Sequence, residues 1–323
     1  MRATIVKLDR GFPLVRLDDG SILRCEHATS LVKNAENRAV VGDRVEVSLP
    51  DGHDFGVIES IEPRTTQFVR KDPTERALPQ ILAANFDLVL VAQPIEEINI
   101  RRLERELVLA HETGADVVVV LTKADLLGSE QELENVKQTI NSFVGNDSVL
   151  VVTEKDPSTV KALRDRLAKT NSTAVLIGRS GVGKSSLVNL LVGHDIQATT
   201  PVRERDGKGR HTTVSREIIS LPDGGYIVDM PGVRGLGLWD AEQGIENAFS
   251  DIEELADQCR FRDCSHTNEP GCAVQEAVKL GDLSAERLES YVRLKQESDH
   301  IKQRREEARR IRSRRGHPRR RKG

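Results

Sequence analysis

Aromatic residues make up 3% of this 323-residue chain, with a single Trp and two Tyr. A chain so poor in flat side chains does not hold unstacked bases chiefly by stacking. No stretch reaches the roughly 20 consecutive apolar residues of a membrane span, and residues 1–20 lack the apolar centre of a secretory leader. Cysteine is scarce, and three of the four (Cys259, Cys264, Cys272) lie close together, which suits a metal in a reducing compartment better than disulfides. The expectation is a cytoplasmic monomer with no membrane partner.

What is present is unevenly spread. The formal charge is −3, yet residues 293–323 hold 14 Lys and Arg against 4 Asp and Glu, a net +10 that leaves −13 on the rest. An acidic body with a basic tail suits a polyanionic partner. The tail offers Arg309, Arg310, Arg312, Arg314, Arg315 and residues 319–322, and the N-terminal region offers Arg64, Arg70 and Lys71. Phosphate neutralisation by such residues tolerates sequence and is sensitive to salt.

Residues 1–72 read as short strands, "ATIVKLD", "PLVRLDDGSILRCE", "DRVEVSLP" and "FGVIESIEP", with "DDG" and "PDG" as hairpin turns. Five or so strands in that length suit a small closed barrel, OB-fold-like or SH3-like, with Cys25 as a small core residue. From residue 86 onward apolar strands (86–92, 116–121, 149–153, 173–178, 226–229) alternate with helices (100–113, 130–144, 158–168, 184–192). That alternation predicts a parallel sheet covered on both faces. Residues 245–323 read as helical around the cysteine group, ending in "RREEARRIRSRRGHPRRRKG", which is expected to be partly disordered.

The strand "TAVLIG" runs into "GRSGVGKSS" and on into the helix "SLVNLL", the context a phosphate loop requires. Gly178, Gly181 and Gly183 let backbone NH groups converge on phosphate oxygens around Arg179, Ser180 and Val182. Lys184 would reach the β and γ phosphates, and Ser185, followed by Ser186, would offer a hydroxyl to magnesium. In "LTKAD", Asp125 stands at the carboxyl edge of the sheet, where a carboxylate accepts from guanine's ring NH and exocyclic amine together; Lys123 lies along the base. In "YIVDMPG", Asp229 would hold magnesium through water and Gly232 would turn its NH to the γ phosphate. Of the adjacent threonines in "GRHTT", Thr213 is favoured over Thr212 to close the magnesium shell. "CRFRDCSHTNEPGC" supplies Cys259, Cys264, His266 and Cys272, three thiolates and an imidazole that complete a closed, structural zinc site.

The order is unusual, since the base reader precedes the phosphate loop, and that order, an N-terminal barrel and a Cys/His cluster together resemble the circularly permuted, ribosome small-subunit-dependent GTPases of the RsgA/YjeQ family over essentially the whole chain. The resemblance implies a multidomain fold: an OB-fold-like β-barrel (1–72), a central α/β circularly permuted P-loop GTPase domain (73–244) and a C-terminal helical zinc-binding domain with a basic tail (245–323). It implies GTP and GDP, magnesium and one zinc as cofactors. It also implies the small ribosomal subunit and its rRNA as partners, and hydrolysis stimulated by that subunit during its late maturation. Residues 178–186, Thr122–Asp125, "GRHTT" and Asp229–Gly232 match the family's motifs. Thr122 stands where most GTPases have Asn, which keeps one hydrogen bond in place of several and is expected to loosen the nucleotide. Thr153 and Glu154 depart from the family's second base-contacting loop and receive no role. Val233 stands where many GTPases orient water with Gln, so slow intrinsic turnover is expected, with His211 a candidate substitute. The rival readings are a non-catalytic assembly chaperone and a P-loop kinase.

Overall fold

The computed structural model describes residues 1–9, 12–32, 38–71, 79–144, 148–196, 216–229 and 241–315, the side chains of residues 9, 32, 70, 71, 79, 142, 229, 308, 309 and 311–315 excepted. Thr212, Thr213, His211, Gly232 and Val233, the side chains of Asp229, Arg70, Lys71, Arg309, Arg312, Arg314 and Arg315, and the run 319–322 therefore lie outside what is described.

The first five strands are β1 (Arg2–Asp9), β2 (Phe12–Leu17), β3 (Ile22–His27), β4 (Arg44–Ser48) and β5 (Gly56–Ile61), with the short helix α1 (Thr29–Val32) after β3. They pair in the order β1-β2-β3-β5-β4, and β4 returns to β1 to close the barrel, with β3 and β5 parallel. The parallel β3–β5 pair decides between the two barrels of the sequence reading in favour of the OB-like one, because a simple meander has antiparallel neighbours throughout. Alternate residues (Ala3, Ile5, Val15, Cys25, Val45, Val47, Ile58) fill the interior. Burial pushes the Cys25 thiol up to about 11, leaving it an inert core residue.

Arg64 corrects the sequence reading. Its guanidinium is clamped on Asp43 at 2.7 and 2.8 Å and on the Arg38 carbonyl at 3.1 Å, and Asp43 is fully buried. Arg64 neutralises an internal carboxylate instead of waiting for a phosphate. The hairpin β6 (Gln67–Lys71) and β7 (Pro79–Ala84) follows; neither strand is expected from sequence, and the boundary placed after residue 72 falls within it.

The parallel strands are β8 (Leu88–Pro94), β9 (Asp116–Thr122), β10 (Ser148–Val152), β11 (Thr173–Ile177) and β13 (Tyr226–Asp229), with β12 (Arg216–Ser220) antiparallel to β13. Their spatial order is β10-β9-β8-β11-β13-β12. The phosphate-loop strand β11 comes late in the chain yet sits in the middle of the sheet. Odd and even residues go to different cores. Val89, Val91, Val117, Val119 and Val175 face α2 (Ile100–His111) and α3 (Glu130–Val144), whereas Leu88, Leu90, Val118, Val120 and Ala174 face α4 (Pro157–Lys169) and α5 (Lys184–Val192). Two-sided burial explains why these strands read as unbroken apolar runs. β12 also pairs with β1 (Lys7 opposite Glu217, Leu8 opposite Arg216), so barrel and central sheet are one hydrogen-bonded surface of eleven strands.

The C-terminal region comprises α6 (Glu242–Ala248), α7 (Ser250–Ala256), α8 (Ala273–Leu280) and α9 (Ala285–Arg315). α9 runs well into the stretch expected to be partly disordered, consistent with the strong helix formers Glu, Ala and Arg that compose it. Arg287 joins this region to the sheet. Its guanidinium, 5% exposed, meets Glu104 of α2 at 3.3 Å, Asp251 at 2.6 Å, the Phe143 and Ala248 carbonyls, and the Phe249 ring at 4.7 Å. Burial raises the Glu104 carboxyl despite that cation. Arg287→Met leaves Glu104 without its counter-ion, and a loss of about 3–5 kcal/mol follows. Urea unfolding measures it; an unchanged midpoint refutes the interdomain role of this pair.

Candidate functional site

All the parallel strands end on one edge, and the sequence motifs gather there. Gly178, Gly181 and Gly183 have φ of 142°, 84° and 94°, backbone that side chains disfavour. At Gly178 a Cβ would stand 2.6 Å from the Ala92 carbonyl oxygen, so the loop can leave β11 only with glycine there. Gly183 caps α5, whose first turn carries Lys184, Ser185 and Ser186 and presents the positive end of the helix dipole to the loop. The Lys184 ammonium donates to the Gly178 and Arg179 carbonyls at 2.7 and 2.6 Å, so it is held over the loop. Arg179 pairs with Glu97 at 2.6 Å, and that hydrogen bond keeps the Glu97 carboxyl below its usual range. Ser180 is exposed and Val182 buried.

The base-reading segment lies two strands away and is tied to this loop directly. The Thr122 hydroxyl donates to the Val182 carbonyl at 2.5 Å, with the Gln93 carbonyl 3.2 Å away. Lys123 then takes a left-handed conformation (φ 60°), and Asp125 lies in the 3₁₀ turn Ala124–Leu126. A lysine at positive φ is uncommon and carries strain of order 1 kcal/mol. The β9–β10 register, Thr122 opposite Val152, brings the segment after β10 to the same place. Thr153, given no role from sequence, donates its hydroxyl to Asp125 Oδ1 at 3.2 Å. Lys155, which sequence reasoning missed, donates to the Asp125 carbonyl at 3.3 Å and stands 3.6 Å from Oδ2. The signal was available: "TEK" follows the strand neighbouring "LTKAD". Glu154 is exposed.

Asp229 ends β13 beside β11, where Val228 stands opposite Val175, so its backbone reaches the phosphate-loop edge. Behind the loop lies a buried polar pair. Gln93, at the end of β8, donates to Glu106 of α2 at 2.5 Å, and burial raises the Glu106 carboxyl.

The four cysteine-cluster residues converge elsewhere, against α8 and α9. All four ligand atoms lie within 4.8 Å of one another. Cys259 and Cys272 sulfurs are 3.8 Å apart, and His266 Nδ1 is 3.7 and 3.5 Å from them. A tetrahedron with Zn–S of about 2.3 Å and Zn–N of about 2.0–2.1 Å has edges of about 3.8 and 3.5 Å. The residues fit zinc. Burial lowers the His266 pKa, which favours the neutral, ligating ring.

Comparison with known proteins decides the family: residues 61–239 match the RsgA GTPase family. The chain belongs to the RsgA GTPase family. It is 42% identical over 298 residues, 92% of this chain and 79% of the relative, to the small ribosomal subunit biogenesis GTPase RsgA of Streptomyces avermitilis. It is 42% identical over 260 residues, 80% of this chain and 71% of the relative, to an RsgA of Listeria monocytogenes. Among solved structures it resembles YjeQ from Thermotoga maritima (TM-score 0.70, 27% identity, 92% of this chain and 98% of that one). It also resembles YloQ, described as a circularly permuted GTPase (TM-score 0.65, 26% identity, 94% and 95%). The permuted fold expected from motif order is thus the observed one.

Thr122→Ala in this RsgA-family GTPase leaves the Val182 carbonyl without its donor, a loss of about 1 kcal/mol. Guanine nucleotide affinity should fall roughly 5-fold by titration of a fluorescent GDP analogue. Unchanged affinity means the tie contributes nothing to the bound state.

Proposed function

We propose that this protein is a magnesium-dependent GTP hydrolase that serves maturation of the small ribosomal subunit and is stimulated by that subunit. The observation that carries the reading is the convergence of a phosphate loop and Asp125 on one sheet edge, tied by the Thr122 hydroxyl. The relatives' name, small ribosomal subunit biogenesis GTPase, supplies the partner.

The residues divide the work. The loop from Gly178 to Ser186 cradles the phosphates, and Lys184 offsets negative charge on the transferred group. Asp125 accepts from two guanine donors, steadied by Thr153 and Lys155, while Lys123 lies along the base. Ser185, Asp229 and Thr213 would hold magnesium, which would supply neutralisation of the phosphate charge. Gly232 would direct its NH to the γ phosphate. In hydrolysis a water oxygen bonds to the γ phosphorus, the bond to the β–γ bridging oxygen breaks, and GDP and phosphate leave. His211 is assigned to orienting that water in place of the Gln absent at Val233. GTP would order the segment around Thr213, and hydrolysis would release it.

The remaining assignments belong to the same reading: one structural zinc on Cys259, Cys264, His266 and Cys272, contact with rRNA through the basic end of the chain, and a cytoplasmic monomer. Among the described residues no helix is long and apolar enough to cross a membrane.

GTP turnover measured alone, with small subunits and with large subunits tests the function. Stimulation by small subunits alone is expected, with Lys184→Ala lowering the stimulated rate by on the order of 10²–10³. Equal rates in every arm overturn the ribosomal reading. Asp125→Asn replaces an acceptor with a donor, so preference should move from GTP toward XTP by at least about 10²-fold. Retained GTP preference removes Asp125 from the base site.

A further inference from the structure

The zinc-binding loop contains a carboxylate that none of the ligand chemistry uses. Glu269 lies between His266 and Cys272, and it takes hydrogen bonds from three backbone NH groups: Ser265 at 2.9 Å, Thr267 at 3.1 Å and Asn268 at 3.1 Å. The Ser265 hydroxyl donates to it as well. Those donors bracket His266 on both sides. Converging NH groups of this kind form an anion-binding nest, and here the anion is the chain's own side chain. Hydrogen bonding to Ser265, side chain first, holds the Glu269 carboxyl down to about 2, so it is ionised throughout the working range.

His266 needs such support. Its φ is 58°, a left-handed conformation that a histidine adopts at a cost. Its carbonyl accepts from the Gln275 amide at 2.6 Å, and its ring lies 6.0 Å from the Tyr291 ring. Tyr291 lies on the far side of the ring and Gln275 holds the carbonyl, whereas Glu269 takes the NH groups of the residues on either side, Ser265 and Thr267.

We infer that Glu269 is the positioning residue of the zinc site, holding the 265–268 loop so that His266 Nδ1 meets the three thiolates before metal arrives. The inference rests on the zinc reading of the Cys/His cluster. Metal affinity depends on groups behind the ligands as well as on the ligands, commonly by 10–100-fold.

The test uses the full-length protein loaded with zinc, and in parallel with cobalt(II), whose visible spectrum reports its ligands. Zinc release to a chromogenic chelator should be 10–100-fold faster in Glu269→Ala, with Glu269→Gln between Ala and the parent. The cobalt form of Glu269→Ala should show a shifted ligand-field band as nitrogen is lost, while its thiolate charge-transfer bands persist. GDP affinity serves as the control for folding of the distant nucleotide site and should not change. Equal release rates and identical cobalt spectra in parent and Glu269→Ala overturn the role of Glu269 and leave the zinc site standing. A parent protein that binds no zinc overturns the site and the proposal together.

Discussion

Parallel strands laid side by side put all their carboxyl ends on one edge, and this constraint, more than chain order, assembles the nucleotide site. β9 delivers Thr122 to Asp125, β10 delivers Thr153 and Lys155, β11 delivers the phosphate loop, and β13 delivers Asp229. Each strand keeps its neighbours wherever the chain begins. A permutation therefore changes which loops join the strands and leaves the edge intact. The Thr122–Val182 hydrogen bond spans that edge from the base-reading segment to the phosphate loop, 60 residues apart in sequence.

The barrel and the C-terminal region attach to that sheet by different physics. The barrel joins through backbone pairing of β1 with β12, with the Lys7–Glu217 ion pair and the Arg16 guanidinium 4.4 Å over the Tyr226 ring beside it. The C-terminal region joins through apolar burial, since Phe249, Ile252, Val274 and Tyr291 belong to the same core as Val89 and Val119 of the sheet. Arg287 is set into that core, and there its charge is matched by Glu104 and Asp251. The exposed pair Arg101–Glu289 adds at most about 1 kcal/mol and the half-buried pair Arg105–Glu297 is bidentate, whereas the buried one is costly to break.

Much of this was legible in the sequence, for reasons that differ by element. The valines at 117–120 alternate between two cores, so two-sided burial writes them as a run. The helices α3 and α5 begin and end where expected, at 130–144 and 184–192. The hairpin of β6 and β7 was not legible, because "PQILAA" opens with proline and closes on alanines, both poor in strand propensity. Arg64 was misread because a basic residue in sequence does not reveal its acidic partner, here Asp43, 21 positions earlier. Lys155 and Thr153 acquire their place at Asp125 from the register of β9 on β10; "TEK" marks the segment, but only the pairing of the two strands brings it to Asp125.

Helix α2 shows how the two halves of the molecule are mechanically joined. On one side Glu106 takes the Gln93 amide directly behind the phosphate loop; on another Glu104, Arg101 and Arg105 meet Arg287, Glu289 and Glu297 of α9. α2 cannot slide along its axis without parting buried polar groups at both contacts, each of which then loses its partner in a low-dielectric core. Rotation is resisted by Leu103, Leu107 and Ala110, all packed against the sheet. Helix α2 is thus held to β8 behind the phosphate loop and to α9 by the same kind of buried polar contact. The zinc-bearing segment between α7 and α8 shares that core through Cys272 and Val274, and so is anchored to the same packing as α2.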